Sequence, residues 1–209
     1  MPADLIHLVR HGEVHNPEGV LYGRIPGYHL SELGHRMAAA AAESLVGHPV
    51  VALYASPLQR AQESAQPWSE KFGLPIVTEE RIIEPHNWFE GKIMSKAIRS
   101  PKSWPQLRNP LKPSWGEPFA DVEKRMLAAV RDAWAKAESG EVVMVSHQMP
   151  IVMVARSVKG MRLPHDPRKR RCTLSSITTL RREGDNFVEV GYAEPAAALL
   201  EHAADFGAV

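Results

Sequence analysis

Hydrophobic positions fall into short blocks separated by stretches rich in glycine, proline and charge. Leu5-Ile6-His7-Leu8-Val9 is an apolar run broken only by His7, ending at Arg10-His11-Gly12. It predicts a buried strand followed by a glycine-containing turn. Residues 12–30 hold Gly12, Gly19, Gly23 and Gly27 with Pro17 and Pro26, a loop composition. Ser31 can cap an alanine-rich helix over about residues 32–46. Val50 to Ala55 reads as a second buried strand. Ser56-Pro57-Leu58-Gln59 then reads as a helix start, with a serine cap, proline at the first helical position and glutamine closing a capping box. That helix is predicted to reach Phe72, stopped by Gly73 and Pro75. Ile76-Val77-Thr78 and Ile82-Ile83 resemble short strand pieces.

Further along, Phe119, Val122, Met126, Val130 and Ala133 mark the buried face of a helix to about residue 138. Glu141 to Val145 is a strand ending at Ser146-His147, and a helix over about 149–158 ends at Gly160. Thr173–Leu180 and Phe187–Val190 alternate as strands joined at Gly184-Asp185-Asn186, before an alanine-rich tail that reads as a short helix. Strands alternating with helices predict one α/β domain over residues 1–209 with a central, mainly parallel sheet.

Composition narrows the classes. A chain of 209 residues with 44% hydrophobic and 23% charged residues is globular and long enough to bury its own core. Its 25 basic and 24 acidic residues give a net charge of +1, so no overall field favours nucleic acid. The single cysteine, Cys172, excludes an intramolecular disulfide framework and a cysteine-rich zinc module. The opening residues lack the basic region of an export signal, and no run approaches the ~18 apolar residues of a membrane helix. The expectation is a cytoplasmic protein with no membrane or nucleic-acid partner; a homodimer is compatible with it.

Chemistry is expected where three strands end in polar residues: Arg10-His11, Ser56 with Arg60 one turn later, and Ser146-His147. Ligands of open parallel sheets sit at the carboxyl ends of the strands. A single histidine after a strand is ordinarily a loop residue. Two arginines and two histidines at three strand ends are hard to reach by accident. Paired guanidinium forks suit a phosphoryl group, with permanent charge and two donors each. One histidine can attack phosphorus while the second stabilises charge on its oxygens.

These stretches resemble the histidine phosphatase superfamily, also called phosphoglycerate mutase-like. Leu8-Val9-Arg10-His11-Gly12-Glu13 resembles its RHG signature, and Leu30 to Gly34 its turn into the first helix. Tyr54 to Ala61 resembles its SxxxRA helix start. Arg81-Ile82-Ile83-Glu84 with Phe89-Glu90-Gly91 resembles its acidic segment, and Val143 to His147 its VSH strand end. The likeness spans about residues 4–180. It implies a three-layer α/β/α sandwich, a nucleophilic His11, and a phosphate pocket completed by Arg10, Arg60 and His147. Glu84 would be the general acid and then the base. No metal or organic cofactor is implied.

The chain departs from the family pattern at several points. Asn16 falls six residues after Arg10, with Pro17 in the usual asparagine position; Asn16 is carried as a phosphate contact. Tyr22-Gly23 stands where the family contacts substrate. Gln148 replaces the common glycine after the second histidine and can still offer its backbone N–H. Pro85-His86-Asn87 follows Glu84, where phosphoglycerate mutases of this superfamily typically carry Arg-His-Tyr. This favours a phosphomonoesterase acting on a phosphorylated metabolite; the alternatives are a phosphoglycerate mutase and a non-catalytic phospho-ligand binding module.

Residues 85–118 form an irregular insert, expected as a lid over the site, with one short helix near 93–99. They hold Pro85, Pro101, Pro105, Pro110, Pro113 and Pro118, and from Lys92 to Trp115 six basic residues (Lys92, Lys96, Arg99, Lys102, Arg108, Lys112) without one acid. That local positive field predicts a polyanionic substrate. The basic run Arg168-Lys169-Arg170-Arg171 reads as a solvated loop.

Overall fold

The structure is a computed structural model, described here for residues 2–107 and 115–205; Arg108, Pro110, Lys112 and Pro113 lie outside the described residues. Six strands form one sheet in the order β3-β2-β4-β1-β5-β6. They are β1 (Leu5–Arg10), β2 (Val50–Ala55), β3 (Ile76–Thr78), β4 (Glu141–Ser146), β5 (Ile177–Glu183) and β6 (Asn186–Ala193). The first four run parallel, and β5 and β6 add an antiparallel edge. The helices are α1 (Glu32–Glu43), α2 (Gln59–Phe72), α3 (Met94–Ala97), α4 (Phe119–Lys136) and α5 (Gln148–Val158).

Strand alternation sorts the core into two layers. Ile6, Leu8, Val142 and Met144 face Val122, Met126, Val130, Ile151 and Val154 of α4 and α5. Val9, Val143, Val145 and Leu53 face Ala41, Ala42, Ala61, Ala65 and Trp68 of α1 and α2. With helices on both faces, β4 is buried at every position, which is why its middle, Val142 to Val145, is a continuous apolar run rather than an alternation. Each fully buried valine or leucine contributes about 1.5–3 kcal/mol. The expected α/β/α sandwich with a mainly parallel sheet is therefore the observed architecture.

Local departures from the expected elements have local causes. Ser31 caps α1 through its side chain, accepting from Gly34 N at 2.9 Å. Ser56 does not cap α2. The helix starts at Gln59 without a side-chain cap, and Gln59 bonds Glu63 instead of closing a capping box. Gly73 ends α2 in the left-handed conformation, φ 65°. Ile82-Ile83 is not strand: Glu80–Ile82 forms a 3₁₀ turn whose Arg81 is gripped by Glu79. Thr173–Ser176 is a turn, so β5 begins only at Ile177. The insert contains α3 and a 3₁₀ stretch over Pro101–Leu107, and the tail a 3₁₀ stretch over Ala197–His202.

Candidate active site

The carboxyl ends of β1, β2 and β4 meet in the middle of the sheet, and the polar residues that follow them are buried there. His11 N donates to Ser146 O across β1 and β4 at 3.1 Å, and His11 O accepts from Ser175 N at 3.2 Å. Gly12 is required by contact: a Cβ there would lie 2.3 Å from the Gly34 carbonyl oxygen, and one on Gly34 2.0 Å from that of Glu13. The β1 turn thus lies directly on the start of α1.

The His11 and His147 rings are 5.2 Å apart between centroids, both essentially without solvent exposure. His11 Nδ1 lies 2.7 Å from Gly12 O. A carbonyl only accepts, so Nδ1 carries the hydrogen and the Nε2 lone pair is free. His147 Nε2 is held at 2.7 Å by Ser56 Oγ, the hydroxyl that sequence reasoning assigned to a helix cap. Glu84 Oε2 lies 4.0 Å from His147 Nδ1. Arg60 enters from the first turn of α2, donates to Gly23 O at 2.8 Å and lies over the Tyr22 ring at 4.7 Å. Its Nε and Nη1, Arg10 Nε, His147 Nδ1 and Glu84 Oε2 are buried without a hydrogen-bond partner. Buried polar atoms are normally satisfied, so the unpaired guanidinium donors of Arg10 and Arg60 mark an anion-binding pocket.

Electrostatics follow from burial. Burial, then the charges of Arg60 and Arg10, hold His11 well below its ordinary value, so the imidazole is neutral. Burial and Arg60 do the same to His147. Burial raises Glu84 above its ordinary value, against the opposing pull of Arg60 and Arg10. Burial also pushes the Tyr22 hydroxyl up to about 12 and the Cys172 thiol to about 11, leaving Cys172 an inert packing residue.

Arg10, His11, Arg60, Glu84, His147 and Tyr22 are thus brought together, with Gly23 offering its carbonyl to Arg60. Gln148 opens α5 beside them, donating to Cys172 O at 3.2 Å. Asn16 bonds within its own loop: its Nδ2 donates to Val20 O and its Oδ1 accepts from Val20 N.

Two residues at the site were not read from the sequence. Arg170 corrects the reading of the basic run as a solvated loop. Arg168 pairs with Asp166 in solvent, but Arg170 is partly buried, donating to Gln148 Oε1 at 3.2 Å and to His165 Nε2 at 2.8 Å. Burial lowers its pKa to about 10. The buried Cys172 and Leu174 that follow were the available signal that the chain turns inward here. Asp205 is the second. Its carboxylate takes both ends of the Arg10 guanidinium, at 2.8 and 2.5 Å, while Arg10 Nη1 also donates to Cys172 O at 2.7 Å. Burial alone would depress Arg10; Asp205 outweighs it and holds the guanidinium above its ordinary value. Ala204 N donates to Glu13 at 2.6 Å, and Leu199, Leu200 and Ala203 pack on Met37 and Leu174. A lone aspartate after an alanine-rich stretch carries no sequence signal for that role.

The insert lies beside the 12–30 loop, with Leu21 N donating to Lys92 O and Gly91 N to Leu21 O. Lys92 Nζ rests 3.1 Å from the centroid of the Trp88 ring. Lys92, Lys96 and Lys102 line a surface groove of their own with Trp88 and Ile93.

A model of the histidine phosphatase superfamily (branch 1) matches residues 6–195. The chain belongs to that superfamily. It is 50% identical over 195 residues to the uncharacterized protein Rv0525 of Mycobacterium tuberculosis, covering 92% of this chain and 96% of that one. It is 29% identical over 162 residues to phosphoserine phosphatase 1 of Hydrogenobacter thermophilus, covering 75% and 76%. Among solved structures, YhfR of Bacillus stearothermophilus superposes with a TM-score of 0.77 at 27% identity, covering 89% and 95%. No described helix is long and apolar enough to cross a membrane.

Proposed function

We propose that this histidine phosphatase family member is a cofactor-independent phosphomonoesterase that works through a phosphohistidine at His11. The observation that carries the reading is the free, unprotonated Nε2 of His11 beside buried guanidinium donors without partners. In the first step the Nε2 lone pair forms the P–N bond while the ester P–O bond breaks, and the Glu84 carboxyl proton passes to the leaving oxygen. In the second, water attacks phosphorus, the P–N bond breaks, and the Glu84 carboxylate takes the water proton. Arg10, Arg60 and His147 stabilise charge on the equatorial oxygens throughout. Hydrolysis of p-nitrophenyl phosphate tests the enzyme against a binding module. Product analysis with 3-phosphoglycerate separates hydrolysis from a mutase returning the group to another oxygen.

No step uses a metal, so turnover is expected to persist in excess chelator. Loss of turnover restored by Mg²⁺ or Zn²⁺ would overturn the mechanism.

The substrate is read as a phosphomonoester with a second negative group, such as a carboxylate. Arg170, rather than the insert's lysines, supports this: it is a partly buried guanidinium with hydrogen bonds to Gln148 and His165, and it is one of the positive charges acting on Glu84, with Arg60, Arg10 and Arg125. Arg170→Ala is expected to raise KM for a carboxylate-bearing ester about tenfold or more, the scale of one charge-assisted hydrogen bond, and to leave an aryl phosphate little changed. Equal KM changes on both would remove Arg170 from substrate recognition.

Asp205 holds the Arg10 donors that a phosphoryl oxygen would use, so substrate must displace it. Asp205→Ala is expected to lower KM and the inhibition constant of inorganic phosphate together, by about tenfold. Calorimetric titration with phosphate checks this; unchanged affinity would show that the tail leaves at no cost.

A further inference from the structure

We propose that His7, His48 and Glu141 form a binding site for one divalent transition-metal ion of the zinc type, at the end of the sheet opposite the catalytic groups. His7 is the one polar residue in the apolar run of β1, Glu141 opens β4, and His48 precedes β2. Glu141 lies in register with Leu5 on one side and Val50 on the other. Glu141 and His147 stand at opposite ends of β4, about 20 Å apart along an extended strand. The site is therefore separate from the phosphate pocket, and its fate is independent of the proposed function.

His7 Nε2 and His48 Nδ1 converge on one oxygen, Glu141 Oε2, at 2.8 and 2.9 Å. All three donor atoms lie within 4.8 Å of one another. Zinc at about 2.0–2.2 Å from nitrogen and oxygen ligands needs tetrahedral donor separations of roughly 3.3–3.5 Å, so small side-chain shifts admit the ion. His7 Nδ1 lies 3.0 Å from Thr179 Oγ1, its direct cross-strand partner. Such an outer contact fixes the ring and leaves Nε2 as the ligand atom.

Charge favours a cation here. Glu141 and His7 are buried on the sheet face that α1 and α2 cover, where the neighbouring positions are Val9 and Val143. Among the described residues Glu141 pairs with the two imidazoles and with no lysine or arginine. A buried carboxylate without a full cation is costly, and a divalent ion supplies the missing charge. The half-exposed His48 leaves an entry path and a fourth position for water. Two imidazoles and a carboxylate favour zinc and its neighbours over magnesium or calcium.

The test is titration of chelator-treated, full-length protein with ZnCl₂ by calorimetry, and with Co²⁺ by visible absorption. Wild type and His11→Ala are expected to bind one equivalent, and a hundredfold excess over Kd should raise Tm by about 5–10 °C. His48→Ala, at a half-exposed position that tolerates truncation, and Glu141→Gln are expected to lose the equivalent and the Tm shift. Absence of saturable binding in wild type, or equal binding by His48→Ala, would overturn the proposal. Loss of binding in His11→Ala alone would also overturn it, by moving the metal to the phosphate pocket.

Discussion

His11→Ala is expected to lower turnover by at least about 10³-fold while leaving phosphate binding within a few-fold of wild type. The side chain's one hydrogen bond is to Gly12 O, so its removal breaks no hydrogen bond that positions Arg60, Glu84 or His147. Burial of the alanine leaves a pocket whose remaining donors still suit an anion. Wild type quenched within one turnover of labelled substrate should carry an acid-labile phosphoryl group on His11 alone. Turnover by the alanine variant within tenfold of wild type, or label on another residue, would remove His11 as nucleophile. The acid side of the pH profile belongs to the same group. Burial and two guanidinium charges lower its pKa, so the nucleophile stays neutral as pH falls through the usual histidine range and is lost only well below it.

The central sheet was legible because the sequence signal there is physical. A strand covered on both faces must be apolar throughout, and Val142 to Val145 satisfies that without alternation. The polar residues just after such runs had few places to go except the strand ends, which is why Arg10, His11 and His147 could be placed together from one sequence. What failed was local hydrogen-bond competition. Ser56 satisfies every sequence rule for a cap, yet its hydroxyl is taken by His147, some ninety residues away, and no local pattern encodes that partner. Ile82 and Ile83 suit a strand by composition, but the Arg81 contacts to Glu79 and Asp132 fix a 3₁₀ turn instead. Arg170 and Asp205 were hidden for a related reason. Charged residues in a basic run and a polar tail are ordinarily solvated, and only the chain path brings these two against Gln148 and Arg10. The insert's run of basic residues was plain in the sequence; Lys92 rests on the Trp88 ring and lines a groove with Lys96 and Lys102.

Glu84→Gln is expected to separate substrates by their leaving groups. The amide keeps the volume and can still hydrogen-bond, but it has no acidic proton to give. Alkyl phosphates, whose alkoxide needs that proton as the P–O bond breaks, should lose about 10²–10⁴-fold in kcat. An aryl phosphate with a stable phenolate should lose far less in its first step. The pH dependence has a definite sign. Burial raises the Glu84 pKa, so the protonated, competent acid persists to higher pH than an ordinary glutamic acid and is lost as pH rises through the raised value. With His11 lowered on the acid side and Glu84 raised on the other, the optimum for alkyl esters lies between the two. The falling limb should disappear in Glu84→Gln, leaving a low, flat rate. His147 sits 4.0 Å away and is also buried, so it is the competing acid; its lowered pKa leaves it without a proton to give in the free site. Pre-steady-state phosphorylation rates for an alkyl and an aryl ester, measured across pH on both proteins, decide between them. Equal losses on the two esters, or a falling limb that survives the substitution, would take the acid role from Glu84.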